Sequence, residues 1–400
     1  MITLFSPKTH AEFELTKEEN TILHSLEKDG VTNYFSKRID VDTKKINSQL
    51  TGRHKIKQKL PTWRANNRIV YPPSLALEQC SSERCAIFKA SLLQGDTFID
   101  LNTGFGVDAL FFAKNFTHGI LIEQQDDLLD IVAHNFAILG CKNVQLGKGD
   151  AQIFSQEFTD TVDLIYLDPA RRSKSGNKVF TFQETEPNVL EMMPDLLRKS
   201  KHILIKCSPL LDIELACKQL GHVKNVYVVD VYNECKEILF HAENGYSGKP
   251  TIHAVHLEEQ TTSTFSFAKI EEKNEVVPIS AVQKYVYEPF ACVLKAGAFK
   301  SIASKNNVSK LHPHTHLYTS DTYLPTFMGR AFRVIASCVA QKKEVLKIIP
   351  DGKANFVMRN FPGNMEDVKK KLGIKDGGNI FVFAITNYLH EKILLVTERC

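Results

Sequence analysis

Four acidic residues in the middle of the chain each stand at the end of a short apolar run. They are Asp100, opening DLNTGFGVD (100–108); Glu123 in GILIEQ (119–124); Asp150, closing NVQLGKGD (143–150); and Asp168 in LIYLDPARRS (164–173). Carboxylates are pure acceptors, suited to a ligand that offers hydroxyl and amino hydrogens. Gly104 and Gly106 follow the first acid, and glycine lets a backbone turn tightly and approach a ligand. Asn102 and Asp108 share that stretch. Glu123 lies 17 residues after Gly106, a distance that suits a carboxylate holding two ribose hydroxyls. Asp150, next to Ala151, stands where an adenine amino group would be met.

Such acids work together only if one scaffold brings them to one edge. TFID (97–100), GILIEQ (119–124), NVQLGKGD (143–150), VDLIYLD (162–168) and HILIKC (202–207) read as strands, separated by helical stretches such as DALFFAKNF and DDLLDIVAHNFAILG. Short apolar strands alternating with helices predict a parallel sheet covered on both faces, an α/β fold. NVYVVDVY (225–232) and IHAVHL (252–257) follow with little helix between them and predict an antiparallel edge. Open parallel sheets bind ligands at the carboxyl ends of their strands, where all four acids fall. A nicotinamide-binding fold also uses a glycine turn and a distant acid. Its G-x-G-x-x-G form does not decide, because Ala109, three after Gly106, fits the relaxed pattern. The acid before the glycines and the acidic tips of the third and fourth strands favour S-adenosylmethionine.

The chain has 400 residues, 43% hydrophobic and 24% charged, as in ordinary globular proteins, and its length predicts two or three domains. No apolar run is long enough to span a bilayer, and the acids near the start are unlike a signal peptide. Nine cysteines without a C-x-x-C pair read as reduced thiols of a cytoplasmic protein, with no metal site expected. Residues 1–73 carry a balance of +5, residues 74–280 of −10 and residues 281–400 of +9. An acidic core with basic ends suits a polyanion-binding enzyme, and equally suits solvated faces.

DLNTGFGVD, LDPARR, YEPFACVLKAGAF and KLGIKDGGNIF together resemble the bacterial class I methyltransferases that carry a C-terminal THUMP-like domain. The resemblance runs from about residue 50 to the end. It implies a Rossmann-like class I methyltransferase core with a seven-stranded, mostly parallel sheet, an N-terminal helical region (1–73), and small α+β modules, ferredoxin-like and THUMP-like. The core is expected over 74–258, a linker and ferredoxin-like module over 259–324, and the THUMP-like module over 325–400. S-adenosylmethionine is the implied cofactor. Asp100, Asn102, Gly104, Gly106, Asp108, Glu123, Asp150 and Ala151 would line or rim its pocket, and LEQCSSE (77–83) places Gln79 and Ser82 to close over it. Asp168 and Pro169 match the amino-group methyltransferase motif Asp/Asn-Pro-Pro-aromatic, whose carboxylate and carbonyl aim a target amine. Here Ala170 and Arg171 replace the last two. Arg171 can stack on a base, hold a phosphate or form an internal ion pair, so the acceptor need not be an exocyclic amine.

Three other features invite chemistry. Cys207 ends a strand like a base-attacking thiolate, yet buried cysteine is the commoner case. HPHTH (312–316) puts three histidines at alternating positions, read as a polar strand surface in preference to a metal site. GRHKIKQKLPTWR (52–64) interleaves Arg53, Lys55, Lys57, Lys59 and Arg64 with Trp63, the only tryptophan. Those cations, with Arg172, suit RNA, while Trp63 suits an anchor of the N-terminal region on the core. The expected function is methylation of RNA, tRNA or rRNA, at a base. A small-molecule or protein methyltransferase, or a non-catalytic RNA-binding protein of the same fold, are the alternatives.

Overall fold

The computed structural model describes residues 3–7, 15–31, 33–34, 41–72, 74–171 and 182–400. The chain divides into two units, Met1–Asn225 with Ile238–Gly248, and Val226–Glu237 with Lys249–Cys400.

In the first unit the apolar runs become β1 (Gly95–Asp100), β2 (Phe116–Glu123), β3 (Val144–Lys148), β4 (Val162–Leu167) and β5 (Ser200–Cys207). They lie parallel in the order β3-β2-β1-β4-β5, with Ile99 of β1 opposite Ile120 of β2 and Ile165 of β4. Phe98, Ile99, Leu164, Ile165 and Leu167 are buried although successive residues point to opposite faces. Both faces are therefore covered, as parallel sheets require. A two-residue strand, Thr3–Leu4, adds antiparallel to the outer edge of β3.

β6 (Val223–Val231) and β7 (Glu234–Glu243) come next, and β7 pairs antiparallel with β5. β7 is absent from the strands expected above. Its approach is the turn Tyr232-Asn233, with φ of 53° and 67°, the left-handed pair of a type I′ hairpin. That turn holds no glycine, and β7 (ECKEILFHAE) has a polar start and only three consecutive apolar residues, Ile238–Phe240, so neither a break nor an alternation marks it.

The N-terminal region is helical over Lys17–Lys28 and Thr43–Lys55. Thr16 and Glu19 form a reciprocal capping box at the first start, and Leu23, Val41, Ile46 and Leu50 make a small core.

In the second unit β8 (Thr251–Leu257) pairs antiparallel with β9 (Thr262–Ala268), and a helix, Lys269–Asn274, follows. The first part of the linker expected from residue 259 is thus a strand and a helix; Thr262, Thr264 and Ser266 of β9 are exposed, while Phe265 and Phe267 alternate inward. Seven further strands form one sheet: β10 (Tyr285–Pro289), β11 (Ser309–His312), β12 (Thr315–Ser320), β13 (Gly329–Val339), β14 (Asn355–Arg359), β15 (Ile380–Thr386) and β16 (Lys392–Arg399). Their order is β11-β12-β10-β13-β16-β15-β14, with only β14 and β15 parallel. Along β15 the pleat sends Val382 and Ala384 to a core with Val345 and Leu372, and Phe383 and Ile385 to one with Val286 and Phe332. HPHTH is not one strand face. It is the β11–β12 hairpin, with Pro313-His314 at the turn and His312 buried. Among the described residues no helix is long and apolar enough to cross a membrane.

Candidate functional site

The carboxyl ends of β1 to β4 open on one cleft of about 540 Å3, a size usual for small-molecule sites. Its loop follows β1. Gly104 and Gly106 have φ of 54° and 77°, where a side chain is strained. A Cβ on Gly106 would also press Phe136 at 3.0 Å, whereas one on Gly104 would meet only Asn102 O, at 4.0 Å.

Glu123 is fixed by the backbone on either side of it. Oε2 accepts from Gly104 N at 3.0 Å, and Oε1 from Gln124 N at 2.9 Å and Gln125 N at 3.0 Å. Asp150 caps the helix Ala151–Glu157, its Oδ1 accepting from Gln152 N and Ile153 N, while Oδ2 accepts from Gln124 Nε2 at 2.7 Å. Asp100 is 1% exposed and accepts from Asn102 N at 3.1 Å. Burial pushes its carboxyl well above the usual range, and nearby Asp108, Asp168 and Glu123 add to the rise against the Asn102 bond. Two buried oxygens in the lining, Asn102 Oδ1 and Thr103 Oγ1, have no hydrogen-bond partner among the described residues.

Behind the loop lies a charged network. Lys89, fully buried on the helix Glu83–Ser91, donates to Ser81 Oγ at 2.8 Å and sits 3.1 Å from Asp108 Oδ1. Asp108 Oδ2 accepts from Ser81 Oγ and Tyr166 OH, both at 2.7 Å. Burial works to raise the Asp108 carboxyl, but Lys89, then Lys206 and the two hydroxyls, hold it below its ordinary value. Lys206, on β5, pairs with Asp168 Oδ2 and lies 3.4 Å from Ser81 Oγ. Asp168 Oδ1 has no hydrogen-bond partner among the described residues.

Of the residues singled out by sequence, Asp100, Asn102, Gly104, Gly106 and Glu123 line the cleft, as do Gln79, Asp108, Asp150, Ala151 and Asp168. Asp108, however, is anchored inward by the network. Ser82 does not line it; its Oγ accepts from Cys85 N as the cap of Glu83–Ser91, and Ser81 takes its place in the lining. Pro169 is buried and outside the lining. Arg171 belongs to the two-residue strand Ala170–Arg171, paired antiparallel with Thr185–Glu186, and Arg172 lies outside the described residues.

Most of the cations expected to touch RNA are tied to groups within the protein, and one, Arg53, is buried. Arg53 is 3% exposed, pairs with Glu27 at 3.1 Å and donates to Asn67 O. Arg64 pairs with the same Glu27, and Lys55 with Glu78. Lys59 donates to Leu77 O and Glu78 O, satisfying the end of the helix Ser74–Gln79. Lys57 is exposed. Alternation of charge along the sequence does not separate a solvated helix face from one stitched to a neighbour. Trp63 is fully buried, its ring 4.7 Å from that of Phe105, the residue between the two glycines. It anchors the N-terminal region on the glycine loop.

Ser81, Lys89 and Tyr166 are residues of this site that the sequence reading missed. Lys89 had a signal: it is the one charge in CAIFKASLL (85–93). Cys207 is buried, and burial pushes its thiol well above its ordinary value, against a resting thiolate.

Residues 285–327 match the family model of a ferredoxin-like domain, and residues 329–399 that of a THUMP domain-like module. No curated protein matches the chain. Among solved structures, a candidate methyltransferase of Porphyromonas gingivalis W83 is similar at 29% identity over 96% of this chain and 98% of its own, with a TM-score of 0.83. An rRNA methylase of Streptococcus thermophilus covers 40% of this chain and 94% of its own at 16% identity and a TM-score of 0.30. TrmK of M. capricolum, in complex with S-adenosyl-homocysteine, covers 46% and 72% at 10% identity and a TM-score of 0.32. The chain therefore joins a Rossmann-like core of the methyltransferase type to ferredoxin-like and THUMP-like modules in its last third.

Proposed function

We propose that the protein is an S-adenosylmethionine-dependent methyltransferase that modifies a base in RNA, tRNA or rRNA. The observation that carries this reading is the convergence of Asp100, Glu123, Asp150 and the Gly104–Gly106 loop on one cleft.

The lining suits S-adenosylmethionine. Glu123, preset by three backbone amides, offers acceptors for a ribose diol; Asp150, beside it, would meet an adenine amino group. Asp100 and the two orphaned oxygens, Asn102 Oδ1 and Thr103 Oγ1, suit hydrogens of the ammonium end. When bound, the cofactor supplies an electrophilic methyl on a sulfonium.

The chain's own groups supply alignment. Asp168, at the tip of β4, has one oxygen held by Lys206 and the other available to accept from the acceptor base. A carboxylate fixed in this way orients the incoming nucleophile and receives its proton as the new bond forms. Lys206 is itself set by Ser81, and through it by Asp108 and Lys89, so the acceptor end and the loop share one rigid support.

The RNA half of the reading rests on the THUMP-like module and the basic C-terminal end. Lys342, Lys343, Lys370 and Lys371 are exposed on the helices Lys342–Ile348 and Met365–Leu372 of that module. Phosphate contacts of such cations make affinity strongly salt-dependent.

The test is transfer of labelled methyl from S-adenosylmethionine to total RNA of a strain lacking the gene, with RNA of its parent, protein extract and a small-molecule fraction in parallel. Label entering only RNA of the deletion strain supports the reading. Label entering protein or small molecules instead overturns the RNA assignment and leaves the donor site standing.

A further inference from the structure

At the amino end of β5, away from the cleft, three side chains meet on one face of the first unit's sheet. His202 of β5 stands directly opposite Glu243 of β7, and His241 lies two residues before Glu243, on the same face. His241 Nε2 is 3.2 Å from His202 Nδ1, and His202 Nδ1 is 3.7 Å from Glu243 Oε2. All three atoms lie within 4.8 Å of one another.

These separations are those of metal ligands. Tetrahedral zinc with bonds of about 2.0–2.1 Å has ligand-to-ligand edges of about 3.3–3.4 Å. Two neutral imidazoles and a carboxylate are a zinc donor set, and other borderline divalent ions favour it too. We propose that His202, His241 and Glu243 form a binding site for one divalent ion of the zinc class, its fourth position open to water.

The surroundings suit this. His241 is buried and His202 partly so, which shields one side of the site from bulk water. Asn225 Nδ2 lies 3.1 Å from His241 Nδ1. With a metal on Nε2 the ring carries its proton on Nδ1, and the Asn225 amide turns so that its oxygen accepts it, the usual outer partner of a ligating histidine. No net proton leaves in that exchange. His202 and Glu243 are partly exposed, which gives the ion a path. The opposing charges are Lys224, which donates to Glu243 Oε2 at 2.8 Å, and Lys201, which is paired with Asp163. Lys224 is therefore the competitor, and its removal is expected to tighten the site. Nothing in the sequence shows this set, because its members are 39 residues apart in the chain and meet only through antiparallel pairing.

The test is titration of the full chain with cobalt(II) and then zinc, under reducing conditions. One equivalent of cobalt is expected to give the visible bands of a four-coordinate nitrogen/oxygen site, without the near-ultraviolet sulfur band, and zinc is expected to bleach them. His202→Asn and Glu243→Gln, both at partly exposed positions, are expected to weaken zinc by more than about tenfold, the loss already typical of changing an outer hydrogen-bond partner. Lys224→Met is expected to strengthen it. Bands that persist unchanged in both ligand variants, or a dominant sulfur band, would place the ion elsewhere and overturn the proposal, as would the absence of bands in the wild-type chain.

Discussion

Lys89 and Asp108, both buried, face each other at 3.1 Å directly behind the glycine loop. Each ion's desolvation is offset by the other and by the Ser81 hydroxyl, and Asp108 is further supported by Tyr166 and Lys206. Lys89→Met takes the nearest counter-charge from buried Asp108, so the variant is expected to lose about 3–5 kcal/mol of stability in urea unfolding. Lys89→Met combined with Asp108→Asn is expected to recover much of that loss; a purely additive double variant would show that the two do not act as a pair.

Donor binding is expected to depend on pH through Asp100. Its folded-state carboxyl titrates well above the ordinary value, so the protonated form persists to higher pH in the protein than in an unfolded chain. Ionising it costs folding stability as pH rises through that raised value, and the same ionisation favours a cationic ligand. Affinity for S-adenosylmethionine should therefore rise with pH, with proton release on binding. Calorimetry in two buffers of different ionisation enthalpy reads this, and a flat profile that matches Asp100→Asn would remove Asp100 from the donor contacts. Asp108 contributes in the opposite sense: its stabilisation is present above the unfolded value and is lost as pH falls through its lowered one.

Glu123→Gln replaces one acceptor oxygen by an NH2 group that confronts backbone N–H donors from Gly104, Gln124 or Gln125. The loop loses its tie and the ribose its acceptor, so donor affinity is expected to fall at least about a hundredfold, or roughly 2.7 kcal/mol. Equilibrium dialysis with S-adenosyl-homocysteine reads the change without turnover.

Asp168→Ala is expected to keep donor affinity within about twofold while turnover falls by about a hundredfold to ten-thousandfold, the range for a positioned proton acceptor. Parallel measurement of donor binding and methyl transfer separates the two. If both fell together, Asp168 would belong to the donor pocket; if neither fell, it would not organise the acceptor.

Trp63→Ala removes a fully buried ring from the back of Phe105. It is expected to cost about 3–5 kcal/mol, and to weaken donor binding because Phe105 sits inside the loop. Restored donor affinity in Trp63→Phe, with stability only partly restored, would show that the ring contact sets the loop. Unchanged donor affinity in Trp63→Ala would detach the two.

The parallel core was legible because four of its five strands run into an acidic residue at the carboxyl end. Asp100, Glu123, Asp150 and Asp168 could be placed at one edge from spacing alone, and all four line one cleft. What stayed hidden depends on side-chain direction or long-range pairing. Ser81 and Ser82 are adjacent and chemically alike, yet one faces the network and the other caps a helix. Lys206 and Asp168 meet only because β4 and β5 are neighbours, which sequence order does not reveal. β7 escaped notice because its turn uses Tyr232-Asn233 in place of glycine. The cations of 52–64 looked alike as letters, but Arg53 and Lys59 are tied to Glu27 and to a helix end.

The chain leaves the first unit after Asn225, contributes twelve residues to the second, returns at Ile238 and leaves again after Gly248. The second unit is therefore not joined to the first by a single seam. Exchange with a relative at one junction would carry β7 with the wrong partner or strand the hairpin tip, so recombinants that keep both cores intact need matched crossovers near both positions. The same interleaving favours inheritance of the two units together.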